Sequence, residues 1–190
     1  MKNYWQKAVN FDEYLRVTEE RIAKLQGTEN EEEKMYLEHY QLGMTRMNRV
    51  AKTYHPQNDL LKKLEEKNFK GKFLIISEGW CGDASMIVPV VNQFFEGKNE
   101  VKIIFRDENH DLMNQFLTNG SMSIPIVIIL DENDEVISHW GPRPEEGHQM
   151  LLKHKADPEN YNADQFHNDL QIYYTKNKGV DIISELLNKL

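Results

Sequence analysis

The stretch FLIISEGWCGDASMIVPVVNQFF, residues 73–95, decides the fold. Residues 73–77 form an almost wholly apolar run, which predicts a short buried strand. Two glycines within residues 79–82 predict a turn. Residues 85–95 carry apolar side chains at helical spacing and predict a helix. Strand, turn and helix in this order are typical of an α/β unit, and the turn carries Cys81, the only cysteine of the chain.

Beyond residue 95 the chain continues to alternate strand and helix patterns. The four-residue turn at 131–134 predicts that the last two strands form an antiparallel hairpin. The earlier strands alternate with helices and are predicted to be parallel. The fold class is therefore α/β, a mixed sheet with helices on both faces. Its further elements are strands at 101–106, 126–130 and 135–140 and helices at 111–117 and about 145–154.

Helical segments are predicted on both sides of this domain. The pattern divides the chain into a helical N-terminal extension (1–68), the α/β domain (69–156) and C-terminal helices packed on it (157–190). A stripe of tyrosine and methionine in the first extension follows helical spacing and is predicted to pack as core. Its members are Tyr36, Tyr40, Met44, Met47 and Tyr54. The alternative is that the stripe lines a groove for a partner.

Composition excludes several classes of partner. The chain has 190 residues and a net charge of −8, whereas a nucleic-acid-binding face needs basic residues, so no nucleic-acid partner is predicted. The longest apolar runs are far too short to span a bilayer, so no membrane partner is predicted either. The N-terminus lacks the apolar core of a signal peptide, which predicts a cytoplasmic protein.

The cysteine count limits the chemistry. A single cysteine excludes an intramolecular disulfide and a zinc site built on several cysteines. The seven histidines are scattered without ligand spacing, so no metal site is predicted. The acidic residues of the predicted turns, Asp107 and Glu108 among them, are predicted to be solvated loop charges.

Cys81 lies at the predicted start of a helix. Unpaired backbone N–H groups and the helix dipole favour the thiolate there and lower the pKa of a thiol by about one unit at most. Asp83 acts in the opposite direction, because a nearby negative charge disfavours the thiolate. These effects predict a modestly activated thiol. The alternative is a free cysteine that packs as a small buried hydrophobe.

Four features recur at the spacing of a known superfamily. Trp80-Cys81-Gly82 follows a buried strand, Pro89 lies eight residues after the cysteine, Ile124-Pro125 opens the third strand, and Gly141 lies sixteen residues beyond Pro125. Over residues 70–154 this arrangement resembles the thioredoxin superfamily, and in particular bacterial thioredoxin-like proteins with a Trp-Cys-Gly-Asp-Cys motif. Pro89 stands at the position of the proline that kinks the active-site helix.

The resemblance implies a role for each matching residue. Cys81 would be the catalytic nucleophile, and Pro125 would follow a cis peptide bond. The resemblance also implies a protein disulfide or thiol as partner, with glutathione as a candidate co-substrate and no bound cofactor. The residues implied in substrate binding are Trp80, Gly82, Asp83, Ala84, Ile124 and Pro125.

Two positions depart from the pattern of the superfamily. Ala84 replaces the second cysteine, which breaks the mixed disulfide in a dithiol protein. Ile75 stands where the superfamily has a buried acidic residue, and Glu78 falls in the wrong register to replace that residue. These departures predict a redox protein of monothiol type, in which an external thiol resolves the mixed disulfide of Cys81. The alternative is a non-catalytic polypeptide-binding module. Arg143, near the expected edge of the site, is predicted to be a chance surface residue. The alternative is that it holds an anionic partner such as a carboxylate of glutathione.

Overall fold

The computed structural model describes residues 1–190. Its centre is a four-stranded sheet in the order β2-β1-β3-β4. Strands β1 and β2 are parallel, and β3 and β4 form the predicted antiparallel hairpin. The prediction that β3 is parallel to the earlier strands is wrong, because β1 and β3 are antiparallel. The strands are β1 (Lys72–Ser77), β2 (Val101–Phe105), β3 (Ile126–Leu130) and β4 (Val136–Trp140).

The segment between β2 and β3 explains this direction. A parallel strand needs a crossover that returns the chain to the opposite end of the sheet, usually through a full helix. Here the segment forms only a 3₁₀ turn at Arg106–Glu108 and a four-residue helix at His110–Met113. Strand β3 therefore starts where β1 ends, with Ile126 paired to Ile76. As a result, the residues that precede β3 lie beside the turn that follows β1.

Nine helices surround the sheet, and three of them begin at an asparagine whose side chain accepts a backbone N–H bond (Asn10, Asn30 and Asn162). Helix α1 had no counterpart among the expectations from sequence, and α6 is shorter than predicted. The helices are α1 (Lys2–Lys7), α2 (Phe11–Leu25), α3 (Glu31–Thr53), α4 (Asn58–Lys67), α5 (Ala84–Phe95), α6 (His110–Met113), α7 (Glu145–Ala156), α8 (Ala163–Asn177) and α9 (Val180–Leu187).

Helix α5 is the central helix of the fold. Ten of its twelve residues are buried, so it is covered on nearly all sides. It packs against β2 of the sheet and against α3 and α9 of the two extensions, while α1 and α2 pack against β2. The mixed α/β fold with helical extensions is thus confirmed. The domain boundaries at residues 69 and 156 stay a prediction. No helix is long and apolar enough to cross a membrane.

A glycine lets α3 approach the turn that carries Cys81. A Cβ atom on Gly43 would lie 2.3 Å from the carbonyl oxygen of Gly79, much closer than van der Waals contact. A Cβ atom on Gly79 would in turn lie 2.6 Å from the side chain of Thr18 in α2. Two glycines therefore allow α2 and α3 to pack directly on the loop between β1 and α5.

Candidate functional site

Cys81 lies in the loop between β1 and α5, held by three hydrogen bonds. Its backbone N–H donates to the carbonyl of Glu78 (3.1 Å), and its own carbonyl accepts from the N–H of Ser85 (3.0 Å). Its thiol donates to the carbonyl oxygen of Ile124, with Sγ 3.4 Å away. Only 8 % of the residue is exposed. The sulfur therefore faces the start of β3.

The Ile124–Pro125 peptide bond at this position is cis, and so is the Gly141–Pro142 bond. Gly141 has a φ of +130°, and a Cβ atom there would lie 2.3 Å from the carbonyl oxygen of Pro125. A side chain at residue 141 would displace the segment that carries Pro125. Pro125 and Gly141, which lie sixteen residues apart in the sequence, are thus in backbone contact in the folded chain.

The pKa of Cys81 corrects the expectation of a modestly activated thiol. Burial is the largest influence and, together with the negative charge of Asp83, raises the pKa of the Cys81 thiol to about 12. The N–H groups of Asp83 and Ala84 and the charge of Arg143 lower the pKa, but by less. The direction expected for Asp83 is confirmed. The net direction was wrong, because the sequence pattern did not show how deeply the sulfur is buried.

Asp83 connects the motif to the C-terminal part of the chain. Its carboxylate accepts bonds from Nε (3.1 Å) and Nη2 (2.6 Å) of Arg143 and from the hydroxyl of Tyr174 (2.5 Å). Arg143 lies in the loop between β4 and α7, and Tyr174 belongs to α8. The prediction of a chance surface position for Arg143 is wrong, because the folded chain brings this residue onto Asp83. Nothing in the sequence pattern marked Tyr174.

Trp80 lies half-buried next to the sulfur. Its indole N–H donates to the carboxylate of Asp107 (3.3 Å), and its ring meets the ring of Tyr36 edge-on, with centroids 5.9 Å apart. The guanidinium of Arg106 lies 4.8 Å from the centre of the indole. Asp107 is exposed in the turn after β2, as predicted for a loop charge, and it is also a hydrogen-bond partner of the motif. Tyr36 leaves the predicted core stripe to contact Trp80.

A cleft of about 510 Å³ opens beside the motif, between α3 and α8. Of the residues implied in substrate binding, Trp80, Gly82 and Asp83 line it together with Cys81. The other three lie elsewhere, since Ala84, Ile124 and Pro125 are buried outside the lining of the cleft. Ile124 contacts the sulfur through its carbonyl. Both extensions therefore contribute walls to the surface around Cys81.

A buried ion pair lies behind the motif. Glu78 is fully buried, and its carboxylate accepts bonds from Arg21 (2.5 Å) and from the backbone N–H of Asp107 (2.9 Å). Burial is the largest influence on the pKa of Glu78 and raises it. Arg21 also pairs with Glu108 (2.6 Å), so Glu108 is not a purely solvated charge. The Glu78 carboxylate makes no hydrogen bond to the sulfur.

The position of the missing buried acid is apolar throughout. Ile75 is fully buried at the centre of β1, paired with Ile103 of β2 and Val127 of β3. Residue 75 and its two strand partners therefore offer no carboxylate for proton transfer. No group of three or more histidine, cysteine or acidic side chains in residues 1–190 could hold a metal ion.

The sheet, the Trp-Cys-Gly motif and the proline beside the sulfur define a thioredoxin-like protein. A family model described as Thioredoxin matches residues 30–159, so the chain belongs to the thioredoxin family. Thioredoxin of Bacillus subtilis is 33 % identical over 76 residues, which cover 38 % of this chain and 70 % of the relative. Thioredoxin of Listeria monocytogenes is 34 % identical over 70 residues, which cover 35 % of this chain and 65 % of the relative. The chain thus spans about two thirds of the length of the curated relatives it matches.

Two solved structures are similar over most of the chain. An HIV epitope-scaffold has a TM-score of 0.58 at 14 % identity and covers 99 % of this chain and 95 % of its own. A protein of unknown function from Pseudomonas aeruginosa has a TM-score of 0.50 at 18 % identity. The match covers 86 % of this chain and 89 % of the Pseudomonas chain. These likenesses show the fold alone. Membership of the thioredoxin family supports a thioredoxin-like redox role.

Replacing Asp83 with asparagine is expected to activate the thiol. The change removes the negative charge that raises the pKa of Cys81 and frees the positive charge of Arg143, while the amide oxygen still accepts from Tyr174. We expect the pH midpoint of alkylation by iodoacetamide to fall by about one unit or more, so that alkylation at pH 8 becomes roughly tenfold faster. An unchanged or higher midpoint contradicts this electrostatic account. Asp169→Asn on α8, which removes an equal charge beside Tyr161, is the matched control.

Proposed function

We propose that this protein is a thiol–disulfide redox protein of monothiol type. The observation that carries the proposal is the position of Cys81. Cys81 lines a cleft, its sulfur faces the start of β3, and the backbone N–H groups of Asp83 and Ala84 at the head of α5 lower the pKa of its thiol. Backbone N–H groups in this arrangement stabilise a thiolate as it forms.

The proposed cycle has three exchange steps. The Cys81 thiol loses its proton to solvent, and the thiolate attacks one sulfur of a partner disulfide. The new Sγ–S bond forms as the partner's S–S bond breaks, and the other partner sulfur leaves as thiolate. An external thiolate attacks the Cys81 sulfur of this mixed disulfide, so that the Sγ–S bond to the partner breaks and the second partner sulfur leaves as thiolate. A second external thiolate then attacks the external sulfur bound to Cys81 and releases the Cys81 thiolate. Two external thiols are thereby oxidised to one disulfide, and the partner disulfide is reduced to two thiols. Glutathione is a candidate for this external thiol.

The resting state is poorly reactive, and partner binding has to change it. Because burial raises the pKa of Cys81 to about 12, the sulfur is almost entirely in the thiol form at pH 7. The Ile124 carbonyl that accepts the thiol proton is also the group that an extended partner segment would pair with by strand addition. A partner N–H on this carbonyl would take the place of the thiol and release it for ionisation.

Trapping the mixed disulfide tests the proposal. The native chain is incubated with glutathione disulfide at pH 8 and followed by intact mass spectrometry. We expect one glutathionyl adduct per chain, absent in Cys81→Ser and removed by an excess of reduced glutathione. If no adduct forms, even after the same treatment at pH 9.5, the monothiol function is wrong.

One observation favours a second candidate, the non-catalytic polypeptide-binding module. The thiol is buried and its pKa is raised, as expected for a cysteine that only packs. In that case Cys81→Ser would leave partner binding intact, and no partner would be captured through a disulfide. The adduct experiment therefore separates the two candidates.

A further inference from the structure

The cleft beside Cys81 is the first part of a longer groove between the two extensions. Cavities of about 510, 290 and 280 Å³ follow one another along it. Neighbouring cavities share Arg46 and Gln171, and then Arg49 and Thr175. Helix α3 forms one wall and α8 the other. Because α3 packs on α5 and α8 packs on α7, the space between them stays open.

Both walls run in the same direction away from the sulfur. On α3 the lining extends from Met35 to Thr53, which is about 27 Å at 1.5 Å per residue. On α8 the lining extends from Phe166 to Lys176, or about 15 Å. An extended polypeptide rises about 3.3 Å per residue, so five to eight residues span this groove. A single small molecule would fill only part of this length.

The lining is basic in a protein that is acidic as a whole. Five cations line the groove, and the only carboxylate among the lining residues is Asp83. Asp83 is already bound to Arg143 and Tyr174. The net charge of the chain is −8, so the lining of the groove is opposite in sign to the chain as a whole. We call this groove the basic trough, and its cations are Arg46, Arg49, Arg143, Lys176 and Lys178.

Four of these cations have no counter-charge. Arg46, Arg49, Lys176 and Lys178 take part in none of the ion pairs of the protein. Arg46 is half-buried, and both its burial and the charge of Arg49 lower its pKa. The Nη1 atom of Arg143 is buried without a hydrogen-bond partner. An anionic occupant would satisfy groups that the folded chain leaves unpaired.

The deeper lining is apolar. Val50, Met86, Val90 and Ile182 line the far part of the trough and are buried. Arg49, Lys176 and Lys178 lie at its rim. Successive side chains of an extended segment point to opposite sides. A segment that alternates apolar and acidic residues can therefore bury its apolar side chains in the trough and direct its acidic side chains towards the cations at the rim.

We propose that the basic trough binds an extended, acidic polypeptide segment of five to eight residues and leads it to Cys81. The segment belongs to a partner protein whose reactive sulfur has acidic residues beside it. This assignment names the partner class of the proposed function and rests on that function only for the covalent step. Binding in the trough does not require the sulfur.

The test uses the full chain with Cys81→Ser, so that no covalent step contributes. A fluorescent octapeptide of four Glu-Val repeats is titrated by anisotropy at low salt, beside Gln-Val and Lys-Val octapeptides of the same length. We expect the Glu-Val peptide to bind and the other two to bind at least tenfold more weakly. We expect added salt to weaken the binding of the Glu-Val peptide.

Removing charge from the trough should remove this preference. The double change Arg46→Gln and Arg49→Gln is expected to weaken Glu-Val binding about tenfold. The double change Lys62→Gln and Lys63→Gln removes the same charge from exposed positions of α4, outside the trough, and is expected to have less than a twofold effect. Equal losses in both double variants overturn the proposal.

Competition identifies the class of occupant. If citrate displaces the octapeptide at the concentration at which unlabelled octapeptide does, the trough is a site for a small anion and the polypeptide assignment is wrong. Tighter binding of a single-stranded oligonucleotide also overturns the assignment. If the octapeptide binds but no glutathione adduct forms, only the proposed redox function is contradicted. If the adduct forms but the octapeptide does not bind, only the proposed role of the basic trough is contradicted.

Discussion

Replacing Arg21 with glutamine is expected to lower the free energy of unfolding by about 3–5 kcal/mol at pH 8. The change leaves the carboxylate of Glu78 fully buried without its charged partner, and an uncompensated buried charge of this kind has this cost. The guanidinium also stacks 4.3 Å from the centre of the Phe105 ring, so packing is lost as well. Urea denaturation followed by circular dichroism measures the change.

The loss should depend on pH in a defined direction. Burial already raises the pKa of Glu78 above its ordinary value of 4.5 in the native protein, and removing Arg21 raises it further. A group with a raised native pKa destabilises the fold above that pKa, and the penalty fades as the pH falls through it. The difference in unfolding free energy between Arg21→Gln and the native chain should therefore be smaller at pH 5 than at pH 8.

Two further variants test the cause of this loss. Adding Glu78→Gln to Arg21→Gln removes the buried charge, so the double variant should recover part of the unfolding free energy at pH 8. Its difference in unfolding free energy from the native chain should no longer become smaller at pH 5. Arg16→Gln breaks exposed pairs with Glu13 and Glu20 and should change stability by less than about 1 kcal/mol. A loss in Arg21→Gln no larger than in Arg16→Gln contradicts the role of the pair.

This ion pair also supports the site. The Glu78 carboxylate holds the backbone N–H of Asp107, whose own carboxylate accepts from Trp80. Arg21 belongs to α2, so the pair connects the N-terminal extension to the loop that carries Cys81. Leaving the Glu78 carboxylate unpaired would cost much free energy, so the pair with Arg21 fixes the orientation of this loop relative to α2.

The order of elements could be predicted from sequence, because each strand and helix has a local periodicity. The apolar run of β1 and the helical spacing of α5 placed both elements to within one residue. The direction of β3 could not be predicted in this way. It depends on whether the chain after β2 crosses the sheet, and only the folded structure shows that α6 is too short to do so.

Some residues of the site could also be predicted from the sequence, whereas others could not. Cys81, Pro125 and Gly141 were recognisable because their spacing matches a known pattern. Arg143 and Tyr174 were not, because they reach Asp83 from 60 and 91 residues further along the chain. The pKa of Cys81 had the wrong predicted direction for a similar reason, since desolvation depends on how deeply the folded chain buries the sulfur.

The change Ala84→Cys is expected to restore a dithiol cycle. Residue 84 opens α5 three positions after Cys81, so a thiol there can attack the mixed disulfide within the same molecule. Intramolecular attack by a well-placed group far exceeds attack by millimolar external thiol, and we expect insulin reduction with dithiothreitol to rise roughly 100-fold. The turbidity assay with insulin measures this rate.

The size of the gain tests the interpretation of both departures from the dithiol pattern. Ala84 is fully buried, so the added sulfur should lower the unfolding free energy by about 1–3 kcal/mol, and Ala84→Ser controls for a changed side chain without a thiol. Ile75 offers no carboxylate to accept the proton of the new thiol, and general-base help of this kind is worth about 10²-fold or more. The variant should therefore remain slower than a complete dithiol protein.

One outcome would contradict the restored cycle. Suppose that Ala84→Cys folds, forms a disulfide between Cys81 and the introduced thiol, and still does not reduce insulin. The surface beside Pro125 then does not accept protein disulfides, because both thiols of the cycle are present and competent. In that case the burial of Cys81, rather than the missing second thiol, limits the redox chemistry of this chain.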